Sequence, residues 1–126
     1  MTIGKAAGEF SMKSTGVTVA LSAGGGAASH VNFEGTATGF GTVIGTLTFL
    51  ADAPGAKSGR ANWLGAGYLE SGETLQGSGE GFYAESGKHK WRVRSILRIS
   101  NGSVLLGEGE VSLDGRTYKG TLYDWT

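Results

Sequence analysis

Residues 33–49 read FEGTATGFGTVIGTLTF, and the parity of this stretch decides the fold. With its approach it places Val31, Phe33, Gly35, Ala37, Val43, Gly45, Leu47 and Phe49 on odd positions. The even positions carry Asn32, Glu34, Thr36, Thr38, Thr42, Ile44, Thr46 and Thr48. Apolar or side-chain-free residues alternating with polar ones are the mark of a half-buried antiparallel hairpin, here turning at Gly39–Gly41. Glycine or alanine fills five of the nine odd positions between Phe33 and Phe49. A strand that gives up side chains on its inner face lines either a hollow interior or one filled by its neighbours.

The rest of the chain keeps the same period. Glycine makes up 24 of 126 residues, against a usual share of about 7%. These glycines have no collagen repeat and are interleaved with Trp, Tyr, Val and Leu, which argues for an ordered β domain. Residues 1–126 are expected to form one domain. The 11 basic and 11 acidic residues cancel, so no charge excess seeks nucleic acid or an anionic membrane. Cysteine is absent, which removes a disulfide frame, a thiol nucleophile and a thiolate metal site. The opening MTIGKAAGEF lacks a signal-peptide core, and no run is long and apolar enough for a membrane helix. A cytoplasmic setting is the expectation.

Four further strands are read in RANWLGAGYLE, TLQGSGEGFYA, HKWRVRSILRI and VLLGEGEVSL. SGE (71–73), ESG (85–87) and SNG (100–102) suit three-residue loops. That register sets Glu80 opposite Arg92, Arg94 opposite Glu108 and Arg92 opposite Glu110 on the outer face, where opposite charges are favourable. Asp114-Gly115 is a type I′ signal that turns Tyr118, Gly120, Leu122 and Asp124 inward and sets Lys119 opposite Glu110. EFSMKS and GVTVALS read as one kinked strand. The count is about eight strands in up-and-down order, closing a barrel. Stagger left aside, Trp63, Gly81, Trp91, Val111 and Tyr118 form one inner layer. Two glycine-rich layers and a leucine layer follow it.

Alternate loops of a meander share an end. The longer connections, 23–29 and 51–58, lie with His89, His30, Tyr83, Arg60, Asp52 and Arg116 at one mouth, the expected working end. His89 has inward parity beside Tyr83 and is the candidate proton donor or acceptor, with Tyr83 the second catalytic candidate. Trp63, Trp91, Tyr118, Phe49 and Arg116 are the candidate ligand-binding residues, Arg116 as a possible clamp for an anionic group. Two histidines without an acidic partner at ligand spacing predict no metal, and no cofactor is expected. The glycine runs are not followed by a helix and do not read as nucleotide loops. Asp124 stands on inward parity near the chain end. On the outer face Ile96, Leu106 and Tyr123 align, with Val104 and Trp125 beside them, an apolar patch that predicts a homo-oligomer.

A short, cysteine-free meander with inward glycines and aromatics resembles the calycin-type and allene oxide cyclase-like barrels. The resemblance is one of architecture and carries no catalytic residue across. It implies a small apolar organic molecule held inside the barrel. The alternatives are a cofactor-free isomerase, cyclase or lyase acting on such a molecule, or a filled barrel that serves as an oligomer building block.

Overall fold

The computed structural model describes residues 3–23 and 25–125. Eight strands run β1 (Ile3–Leu21), β2 (Ala27–Ala37), β3 (Gly41–Ala51), β4 (Ser58–Tyr68), β5 (Thr74–Gly87), β6 (Lys90–Ile99), β7 (Val104–Ser112) and β8 (Thr117–Trp125). Each pairs antiparallel with the next, and β8 returns to β1, so the sheet closes into an up-and-down barrel. Closure removes the free edges that an open sheet exposes. The expected all-β barrel is therefore the observed one, and its likeness to calycin-type barrels is architectural.

The kinked strand is β1. Phe10 and Met12 are buried on even positions, whereas Val17 and Val19 face the same side as Val31 and Ser29. A register shift between Ser14 and Gly16 absorbs the change of parity. One extra residue at a bulge flips every later side chain to the other face.

The outer charges confirm the register of β6 and β7. Arg94 opposes Glu108 and Arg92 opposes Glu110. Arg94 Nε donates to Glu108 at 2.8 Å, and Arg92 also reaches Glu108 at 3.3 Å. Lys119 opposes Glu110 as expected. The pair Glu80–Arg92 is not formed: Glu80 opposes Ile96, and Arg92 opposes Ala84. The β5–β6 hairpin continues past Ser86 and turns at Lys88–His89, with a bulge between Glu85 and Gly87. The outermost rungs are Glu85–Trp91 and Gly87–Lys90, and the left-handed residue of the turn is His89 (φ 54°) and not Gly87. The displacement is four residues, an even number, so inward residues stay inward.

Two other turns differ in shape without altering parity. β4 and β5 pair out to Tyr68–Thr74, and their loop closes with the Leu69 N–H donating to the Glu73 carbonyl, so the loop is two residues off the expected pairing. Between β7 and β8 the turn takes four residues, Leu113–Arg116. The left-handed residue is Arg116 (φ 54°), and neither Asp114 nor Gly115 has the positive φ of a type I′ turn.

These displacements, with the barrel's shear, dismantle the flat layers. Directly opposed residues lead from Phe10 on β1 through Gly120, Gly109, Val93, Tyr83 and Gly59 to Ala51, the last residue of β3. One row thus climbs from the middle of the barrel to its rim, as tilted strands require. Trp63 opposes Gly79, while Trp91 lies near the mouth opposite Val111. They belong to different levels.

The waist is filled. A methyl group at Gly65 would lie 2.7 Å from the Trp63 ring, and one at Gly109 would lie 2.8 Å from both Phe10 and Tyr118. The aromatics fold onto the glycines, so that a missing side chain on one strand becomes the seat of a ring from another. Phe33, Leu47 and Val93 are fully buried at the centre.

Candidate functional site

One end carries the connections 22–26, 52–57, 88–89 and 113–116, and the other carries the turns 38–40, 69–73 and 100–103 with both strand termini. At the first end a cavity of about 400 Å³ opens. Its wall comes from β1, β2, β3, β5, β6 and β7 and includes Val31, Phe33, Phe49, Tyr83, Trp91 and Val111. Below it lies a second, small cavity of about 70 Å³, bordered by Trp63, Tyr118, Phe10 and Leu97. Between the two stands an aromatic partition. The Tyr118 ring meets Phe10 edge-on at 4.8 Å, and its centroid is 5.5 Å from Phe33 and 6.4 Å from Trp63. A broader groove of about 950 Å³ at the Thr38–Phe40 turn is lined by Glu9, Thr36, Tyr68 and Lys119 and is much more polar.

The expected working end is thus the end with the larger interior cavity. Four of the expected residues line it: Phe49, Tyr83, Trp91 and Arg116. Tyr83 and Phe49 meet edge to face at 4.9 Å, an arrangement favoured by the ring quadrupoles. Trp63 and Tyr118 face the lower cavity and build the partition. His89 is corrected outright in placement. It is an exposed turn residue beyond the last rung of β5 and β6, and its carbonyl accepts the Leu113 N–H at 3.0 Å. His89 and Tyr83 are not brought together. His30 is half-buried, its Nδ1 2.9 Å from the Thr48 hydroxyl. Asp124 opposes Leu105 but is exposed, because the barrel ends there. Among the described residues no group of three or more His, Asp or Glu side chains forms a metal site.

The cavity wall is apolar with a thin ring of hydroxyls. Ser14, Ser29, Ser112 and Tyr83 supply the hydroxyls, and among the described residues Arg116 is the one charged member of the wall. Arg116 Nε donates to the Leu113 carbonyl at 3.0 Å and its own carbonyl accepts the Ser14 N–H at 2.7 Å. These bonds hold the left-handed backbone in place. Val31, Phe33 and Val111 line the cavity as their inward parity predicts, whereas Ser14, Val17 and Ser29 lie outside the residues whose parity the sequence reading assigns.

Burial, and after it the Asp52 carboxylate, raises the phenol of Tyr83, and burial alone pushes that of Tyr118 far above its ordinary value. Both are therefore neutral hydroxyls at physiological pH. The linkage has a definite sign. Above pH 10 the unfolded chain releases these protons while the native barrel retains them, so stability present below pH 10 is lost as pH rises. For Tyr118 the expected loss is about 1.4 kcal/mol per pH unit above pH 10. Urea unfolding at pH 9, 10 and 11 checks it: Tyr118→Phe should flatten the decline, and an unchanged slope would refute the assignment.

No family model, no curated protein and no solved structure matches this chain. Among the described residues no helix is long and apolar enough to cross a membrane.

Proposed function

We propose that this protein binds a small, largely apolar organic molecule in the cavity at the long-loop end of the barrel. The observation that carries the proposal is the pairing of about 400 Å³ of space with a wall of Phe33, Phe49, Trp91, Val31 and Val111. That volume falls in the range of about 300–1,000 Å³ typical of ligand pockets. Apolar surface removed from water contributes roughly 25 cal/mol per Å², so a ring system or short alkyl chain has a sufficient driving force here. The few hydroxyls orient the guest, with Tyr83 as a neutral donor.

A cofactor-free isomerase or cyclase has less support. Its expected acid–base pair needed His89 beside Tyr83, and His89 lies in an exposed turn.

Native mass spectrometry of freshly purified protein, with and without 1-aminoanthracene as a neutral apolar probe, tests the proposal. One added mass per chain, lost on denaturation, is expected. Bare chain at saturating probe, with no rise in probe fluorescence, would remove the binding function.

A further inference from the structure

β1 is longer than its neighbour on one side. Its ladder with β8 ends at Lys13–Thr117, followed by one bond from the Ser14 N–H to the Arg116 carbonyl. From Gly16 to Leu21 the strand pairs only with β2, at Asn32 to Ala27. Among the described residues the other edge of this overhang meets no strand, although the barrel is closed below it. Its side chains are also bare: Val17 is 59% exposed, Val19 64% and Leu21 82%. All three project from the face that continues the cavity wall, and Val17 itself borders the cavity.

Natural sheets protect a free edge with lysine, proline or a bulge. Here the bulge lies at Ser14–Gly16, just before the free portion, and residues 14–29 contain no charged side chain and no proline. The segment GVTVAL combines β-branched residues with an open row of backbone donors and acceptors, the combination that most readily recruits another strand. The expected outer patch is a weaker candidate. Ile96, Leu106 and Tyr123 do align across β6, β7 and β8, but their backbones are already paired on both sides. Arg94, Arg98 and Glu108 surround them, and Ile96 and Val104 are only 37% and 39% exposed.

We propose that the overhang Gly16–Leu21 is where two copies of this chain associate, antiparallel and edge to edge, about a two-fold axis at Val19. The alternation of the segment sets that register. With Val19 opposite its own equivalent, Val17 of each copy opposes Leu21 of the other, and all six apolar side chains share one face. Shifting by one residue would set them against Thr18 and Ala20 and divide the apolar set between faces. A two-fold axis makes the contact self-complementary and closed, so pairing stops at two. The partner's Leu21 then comes to lie beside Val17 at the rim of the cavity, adding an apolar side chain to the mouth.

The native chain contains no cysteine, which makes the register directly testable by cross-linking. Directly opposed Cα atoms in an antiparallel pair are roughly 4.5–5.5 Å apart, inside the roughly 4.4–6.8 Å that a disulfide spans. Val19→Cys is expected to oxidise to a covalent dimer, whereas Leu21→Cys, some four residues and roughly 14 Å from its own equivalent, is not. A mixture of Val17→Cys and Leu21→Cys should cross-link as a heterodimer. Sedimentation equilibrium of the unmodified chain is expected to show a monomer–dimer equilibrium that Val19→Lys abolishes. Val19 is exposed, so circular dichroism of Val19→Lys should match the native protein. A purely monomeric native chain at high micromolar concentration would overturn the proposal. So would a dimer that survives Val19→Lys but is dispersed by Leu106→Lys, since the outer patch would then be the interface.

Discussion

Tyr118→Ala is expected to lower the free energy of unfolding by about 3–5 kcal/mol, the range for truncating a large aromatic in a core. Domains of this kind have roughly 5–15 kcal/mol in total, so the variant should be close to unfolding at moderate temperature. The expectation rests on what the ring touches. Tyr118 is buried at the waist, in contact range of Phe10, Phe33 and Trp63, and it covers the side-chain-free surface of Gly109. No single neighbour can take over that volume, because Trp63 is already folded onto Gly45 and Gly65 and Phe10 already shares Gly109 with the ring. Removing the ring should also join the two cavities into one channel. Tyr118→Phe keeps the packing and gives up only the hydroxyl, so a cost within about 1 kcal/mol is expected for it. Urea titrations followed by tryptophan fluorescence measure both. A Tyr118→Ala cost under about 1 kcal/mol would mean that the partition rearranges freely and is not the centre of the core.

Ser29→Trp is expected to weaken binding of 1-aminoanthracene by at least about tenfold, a loss of roughly 1.4 kcal/mol, while leaving the fold intact. Ser29 is half-buried on β2, between Val19 and Phe49 on the neighbouring strands, and its side chain borders the open cavity. An indole there occupies space that is now empty, so it adds bulk without compressing a packed core. The contrasting substitution is Leu64→Ala. Leu64 projects from the outer face of β4 and is exposed, so its removal should leave probe affinity unchanged. Fluorescence titration of the two variants beside the native chain distinguishes the cavity from adventitious adsorption. Equal affinities for Ser29→Trp and the native chain would place the probe elsewhere.

Much of the barrel was legible because a strand's side chains alternate with a period of two, a local property. Odd positions of residues 31–37 and 43–49, even positions of residues 118–122 and the outward glutamates 108 and 110 all face as their parity predicts. The kink read in the first strand is the bulge at Ser14–Gly16, where Phe10 and Met12 give way to Val17 and Val19. The end of the barrel that holds the larger cavity followed from counting strands, since alternate loops of a meander must lie together. These inferences survived the displaced turns between β2 and β3, β4 and β5, and β5 and β6 because each register error was an even number of residues.

What the sequence could not supply was position along the barrel. Whether Trp63 and Trp91 share a level depends on where the chain turns between β4, β5 and β6, and on the shear accumulated around the closed sheet. Both are settled by competition among rungs far apart in the chain. His89 shows the consequence: moving one hairpin turn two residues along the chain takes it from an inward strand position to an exposed turn. The same competition decides whether glycines leave space or accept a neighbour's ring, since their absent side chains are permissive toward either. Local alternation and the strand count therefore determined the architecture, the inward faces and which loops share an end. Only the tertiary structure decided that the aromatics close the waist, that the space lies above them, and that β1 overshoots β8 with an unpaired apolar edge.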